Sequence, residues 1–174
     1  PFHMTQKLPH IKIPVGDKEN KCVLQALLET CAGTSLGLYS YHKKIAETYK
    51  HLVVDFTDLN AEDYREEFIR GVDGEAASVT IKAAVTYLLP YVLNGKRSKF
   101  RLGLCENLAA KTLLGLTLQR DLKLSINLGN DTVYSPVISE SFKLEYLRPM
   151  TETEPPHEFP GKNLVLLSPT LHQR

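Results

Sequence analysis

Residues 78–87 alternate without interruption. Val79, Ile81, Ala83, Val85 and Tyr87 fall on one side; Ser78, Thr80, Lys82, Ala84 and Thr86 fall on the other. A two-residue period marks a strand with one buried face. Strand signals recur along the chain. Cys22 to Leu28 is an apolar run broken only by Gln25, short enough for a buried strand. Leu124–Leu128 and Thr132–Val137 flank Gly129-Asn130-Asp131, a hairpin turn, and Phe142, Leu144 and Tyr146 alternate again. Helical spacing is confined to two stretches. Tyr41, Ile45, Tyr49 and Leu52 share one face of a helix expected near 41–51, with Lys43, Lys44 and Glu47 outside. A shorter helix is expected over 116–122. The class is mostly β.

With 174 residues, 43% of them apolar, the chain holds one domain plus a tail and can bury a core without staples. Lys and Arg number 21 against 20 Asp and Glu, so a nucleic-acid or membrane-surface partner is not expected. Cys22, Cys31 and Cys105 are odd in number and lack CxxC spacing, which points to a reducing, intracellular and cytoplasmic setting. No apolar run approaches the length of a membrane span, and no signal peptide opens the chain. The start at Pro1, with no initiator Met, fits a processed or recombinant fragment with residues 1–4 an appended remnant. Asn130-Asp131-Thr132 fits a glycosylation acceptor but reads better as the hairpin turn. Residues 1–15 are expected to form an arm or edge strand, 16–148 the domain, and 149–174 a Pro-rich linker and tail. Within that tail, Asn163–Leu167 is one more strand that docks back.

The segment Ala26-Leu27-Leu28-Glu29-Thr30-Cys31-Ala32-Gly33-Thr34-Ser35 delivers a carboxylate from the end of a buried strand into a loop of small residues. Such a position sets the desolvation and hydrogen bonding of the group, although an ordinary strand-to-turn junction has the same pattern. Farther on, Leu113-Leu114-Gly115 leads into a short helix, a strand, a turn and Thr132-Val133-Tyr134-Ser135. Together, and in this order, the segments resemble the retropepsin-like aspartic proteases of long-terminal-repeat retroelements, over about residues 16–148. The resemblance implies a closed acid-protease-like β-barrel with one or two short helices, acting as a C2 homodimer. It matches Glu29 to the catalytic Asp of the family loop Asp-Thr/Ser-Gly-Ala, with Thr30, Cys31, Ala32 and Gly33 completing the loop. Thr30 would brace the two loops across the dimer. Leu113, Leu114 and Gly115 would form the strand under the loop, and the flap tip would fall at Val72, Asp73, Gly74 and Glu75. Neither Asp73-Gly74 nor Asp131-Thr132 has the flanking pattern of a second loop, so the partner must supply the second carboxylate. The partners implied are a second copy and a peptide or polyprotein substrate; no cofactor is implied.

The departures bear on activity. Glu for Asp adds a methylene and moves the carboxylate by roughly 1 Å, a misplacement that can lower a rate about a hundredfold. Cys31 replaces a Gly, and a side chain there invites strain or obstructs substrate. The stretch Tyr39–Asp58 is also longer than a minimal family member carries. Two readings follow: an endopeptidase that activates water with paired Glu29 carboxylates, or a pseudoprotease kept as a dimerisation or peptide-binding module. Other motifs compete weakly. Gly33-Thr34-Ser35-Leu36-Gly37 fits a nucleophile elbow but lacks a suitable downstream Asp and His. Cys31 as nucleophile would need His42 or His51, both read as helix-surface residues. The histidines lack metal-ligand spacing. Lys96-Arg97-Ser98-Lys99 reads as a solvated hairpin tip.

Overall fold

The computed structural model describes residues 7–70 and 76–150, together with the backbone of Val165 and Leu166. The chain begins with β1 (Leu8–Gly16), β2 (Lys21–Leu28) and β3 (Leu36–Leu38). Helix α1 (Tyr39–Thr48) and a 3-10 turn (Lys50–Leu52) follow, then β4 (Val53–Asp58). Next come β5 (Arg65–Arg70), β6 (Ala76–Ile81), β7 (Ala83–Leu93), β8 (Lys96–Cys105) and β9 (Thr112–Leu114). Helix α2 (Leu116–Asp121) leads to β10 (Ser125–Asn127), β11 (Thr132–Ser135), β12 (Glu140–Lys143) and β13 (Glu145–Leu147). A last strand, β14 (Val165–Leu166), pairs with Val23 and Cys22 of β2. The protein is mostly β with two helices.

The main sheet runs β13-β1-β2-β9-β3-β8-β7-β4. It curls far enough for β1 to pack against β7, but no ladder closes it among the described residues, so the expected closed barrel is not shown. Of the segment expected to be an arm or edge strand, residues 8–15 lie inside this sheet in β1, which pairs with β2 from His10 to Gly16 and with β13 over Leu8–His10; residues 1–6 lie outside the described residues. The apolar run of β2 serves two cores. Leu24, Ala26 and Leu28 face the main one with Ile11, Ile13 and Leu102; Leu27 faces a smaller one with Ala32, Leu36 and Leu113. A strand buried on both faces needs no polar alternation.

The uninterrupted alternation of 78–87 does not become one strand. It divides at Lys82, whose N–H bonds Leu104 O and whose carbonyl accepts from Leu59 N, leaving β6 in a hairpin with β5 and β7 in the main sheet. Ala84 and Thr86 are buried along with Val85 and Tyr87, so β7 is covered on both faces. The turns are as expected. Asn94 and Gly95 both take positive φ between β7 and β8, which puts Lys96 and Arg97 at an exposed tip. The Asn127 carboxamide caps the 128–131 turn, accepting from the N–H of Gly129 and Asn130. In the third alternating segment Phe142 and Leu144 are buried, whereas Tyr146 is exposed and donates to Asp131 Oδ1.

Helix α1 buries Tyr41, Ile45 and, beyond it, Leu52, and exposes Lys43, Lys44 and Glu47. His42, expected on the surface, is fully buried. Its Nε2 lies 3.0 Å from the Lys111 carbonyl and 3.0 Å from Thr112 Oγ1, and its Nδ1 lies 2.6 Å from the Tyr87 hydroxyl. A carbonyl can only accept, so Nε2 carries the proton and Tyr87 donates to Nδ1. Packing is close here. A methyl group on Gly37 would stand 2.6 Å from the imidazole Cδ2.

Burial lowers the His42 pKa from 6.5 to about 4, against the Lys111 hydrogen bond that raises it. The sign follows from linkage: the unfolded chain takes up the proton first, so stability present above pH 6.5 is lost as pH falls toward about 4. That loss should be on the order of 3 kcal/mol. Urea unfolding at stepped pH checks it. His42→Gln should be less stable at neutral pH but show a shallower decline in acid; equal slopes would assign the acid sensitivity to other groups.

Candidate active site

Strand β9 lies between β2 and β3, parallel to the first and antiparallel to the second, and the loop 29–35 joins those two strands. The loop therefore passes over a strand that arrives much later in the chain. Leu27 pairs with Leu113 and Leu28 with Leu114. At the point where β2 ends, the Glu29 N–H still donates to Leu114 O at 3.1 Å. The far side of the loop is held as well. Ala32 O accepts from Leu116 N at 2.7 Å, and Gly33 O accepts from Thr117 N at 3.2 Å. The Gly115 N–H donates to Ser35 Oγ at 2.9 Å.

Gly115 explains why the loop can sit so low. A Cβ there would stand 2.6 Å from both the carbon and the oxygen of the Thr34 carbonyl and 2.9 Å from Ala32 O. Its φ is −79°, so the need is for close backbone approach rather than for left-handed geometry. The apolar-apolar-Gly strand thus lies under the Glu29 loop.

The Glu29 side chain is half-buried, and its Oε1 accepts from the Cys31 N–H at 2.8 Å. Thr30, Cys31 and Gly33 are exposed, while Ala32 is buried in the smaller core. The strain expected at Cys31 is absent, because Cys31 is not among the non-glycine residues of positive φ. The other two thiols are buried, and burial pushes Cys22 up to about 11 and Cys105 up to about 12.

The hairpin β5–β6 stands over this region, with Arg70 opposite Ala76. The expected flap tip, Val72 to Glu75, lies outside the described residues. From the hairpin, Glu67 Oε1 accepts a long hydrogen bond of 3.4 Å from Thr34 Oγ1. Nothing in the polar sequence Arg65-Glu66-Glu67 singles out this contact. His42 did leave a signal: it stands three residues before Ile45 and four after Leu38, on the apolar stripe of α1.

The competing motifs fail on geometry. Ser35 is buried with its hydroxyl taken by Gly115, and β3 follows it antiparallel to β9, so no nucleophile elbow forms. Both nitrogens of His42 are engaged in the core, out of use for Cys31, and His51 stands edge-on to Tyr49. Among the described residues no three His, Cys, Asp or Glu gather as metal ligands, and no helix is long and apolar enough to cross a membrane.

No family model matches the chain, and no curated protein matches it in sequence. Among solved structures it is similar to the retroviral protease-like domain of Ddi1 from Leishmania major, at 11% identity and a TM-score of 0.43, over 85% of this chain and 98% of that one. A likeness this loose does not by itself assign the fold.

The close approach of Gly115 yields a paired expectation. Gly115→Ala must push the loop off β9 and should destabilise the protein by about 1–3 kcal/mol. Gly33→Ala, where a Cβ meets nothing within 4 Å, should stay within about 0.5 kcal/mol of the parent. Chemical denaturation of both variants checks the contrast, which disappears if the loop is not held by that contact.

Proposed function

We propose that this chain is a retropepsin-like endopeptidase domain, active as a symmetric homodimer in which each protomer contributes Glu29. The observation that carries the reading is the threading of Leu113-Leu114-Gly115 beneath the loop that begins at Glu29, with Glu29 N bonded to Leu114 O. It joins the two segments on which the resemblance rests, which stand some 85 residues apart. A single loop of this kind makes half a site, and two-fold symmetry completes it.

In the dimer one Glu29 carboxylate takes a proton from water while the other carboxyl group, protonated, donates to the substrate carbonyl. The water oxygen attacks the carbonyl carbon, the C–N bond breaks, and the departing amine takes up the proton. Thr30, exposed beside Glu29, has a hydroxyl free to brace the partner loop. An extended peptide lies between the β5–β6 hairpin and the loops, held by main-chain hydrogen bonds as an added strand. The resemblance names a retroelement polyprotein as the natural substrate.

One observation favours the second reading, a peptide-binding dimer without chemistry. The Glu29 carboxylate turns back to its own loop, onto the Cys31 N–H, instead of standing free. Activation requires it to reach a shared water. Incubation with a mixed peptide library from acidic to neutral pH separates the two. Wild-type protein should cleave, and Glu29→Gln should lower the rate by at least about a hundredfold. Dimerisation with peptide binding but no Glu29-dependent cleavage would establish the second reading.

A further inference from the structure

The side chains of β5 divide cleanly. Ile69 packs against the smaller core together with Val79 of β6, and Glu67, directly opposite Val79, shares that inward face. Phe68, on the outward face, is 71% exposed, and Glu66 is exposed beside it. Glu67 is thus a carboxylate on the loop side of the hairpin, half-buried, reached by Thr34 from the loop that Glu29 begins. Its hold on both neighbours is loose. The Thr34 bond is 3.4 Å long, and the Arg65 guanidinium stands 3.9 Å away on the same strand with its side chain 65% exposed.

From this we infer that Glu67 is a specificity-determining residue that selects peptides carrying Lys or Arg where they pass under the hairpin; the inference rests on the cleft assigned above. The physical reason is competition among three kinds of side chain. An acidic one meets like charge. An apolar one covers the carboxylate without replacing its partners, which leaves a buried charge poorly compensated. A Lys or Arg exchanges the long Thr34 bond and the loose Arg65 pair for a charge-assisted hydrogen bond in a site partly screened from water.

Binding, measured apart from turnover, tests this. Extended peptides of otherwise identical sequence, with one Lys, Gln or Glu scanned along them, are titrated into Glu29→Gln protein and followed by fluorescence anisotropy. At the position under the hairpin, Lys should bind tighter than Gln, and Gln tighter than Glu, by about three- to fivefold per step. Adding Glu67→Gln should flatten that order, and Glu67→Lys should invert it. An order that survives Glu67→Lys, or peptides that do not bind at all, would overturn the inference. Cleavage by the wild-type protein is scored separately. Cleavage that needs Glu29 but ignores Glu67 removes the inference and leaves the peptidase; binding order set by Glu67 with no cleavage leaves the inference and removes the peptidase.

Discussion

Where Gly115 passes beneath Thr34 the two backbones meet with no space for a methyl group, and the rest of the site depends on that approach. It lets β9 enter between β2 and β3, and so brings the Leu114 carbonyl within reach of the Glu29 N–H. The loop is then fixed at both ends: by β9 at Glu29 and by the first turn of α2 at Ala32 and Gly33. A carboxylate in a loop pinned this way starts from a defined position, which acid–base chemistry on a bound peptide requires. The smaller core beneath it, built from Leu27, Ala32, Leu36 and Leu113, excludes water from the loop's underside.

A second device secures the same strand from the other side. His42, Tyr87 and Thr112 tie α1, β7 and β9 together in the main core with their polar atoms satisfied. Such a buried network stabilises only while the imidazole is neutral. As pH falls through the window between 6.5 and about 4, this frame around β9 therefore weakens. The extended helical stretch between the loop and the hairpin, longer than the resemblance calls for, thus gains a structural role: it supplies His42.

Local features are legible in the sequence because their causes are local. Asn94-Gly95 and Gly129-Asn130-Asp131 need backbone geometry that few residues adopt, and α1 shows its buried stripe through Tyr41, Ile45 and Leu52. Glu29 and Leu113-Leu114-Gly115 could be placed together only through a family pattern, since their contact spans most of the domain. What escaped depends on partners elsewhere. The alternation of 78–87 is the same on either side of Lys82, and only the switch of partner from β5 to β8 divides it. Glu67 lies in a strand without apolar periodicity, so its inward aim is fixed by register alone. The expected closed barrel came from the family pattern and is not shown among the described residues, because whether a sheet closes depends on its curvature and not on a local residue pattern.

The central claim is that two Glu29 loops meet at a two-fold axis, and Cys31 offers a direct test of it. The thiol is exposed two residues from Glu29, whereas Cys22 and Cys105 are buried. A short bis-thiol crosslinker applied to dilute native protein should trap a covalent dimer through Cys31, and Cys31→Ser should abolish the product. A protein that stays monomeric under the crosslinker, or one that still crosslinks after Cys31→Ser, would contradict the account.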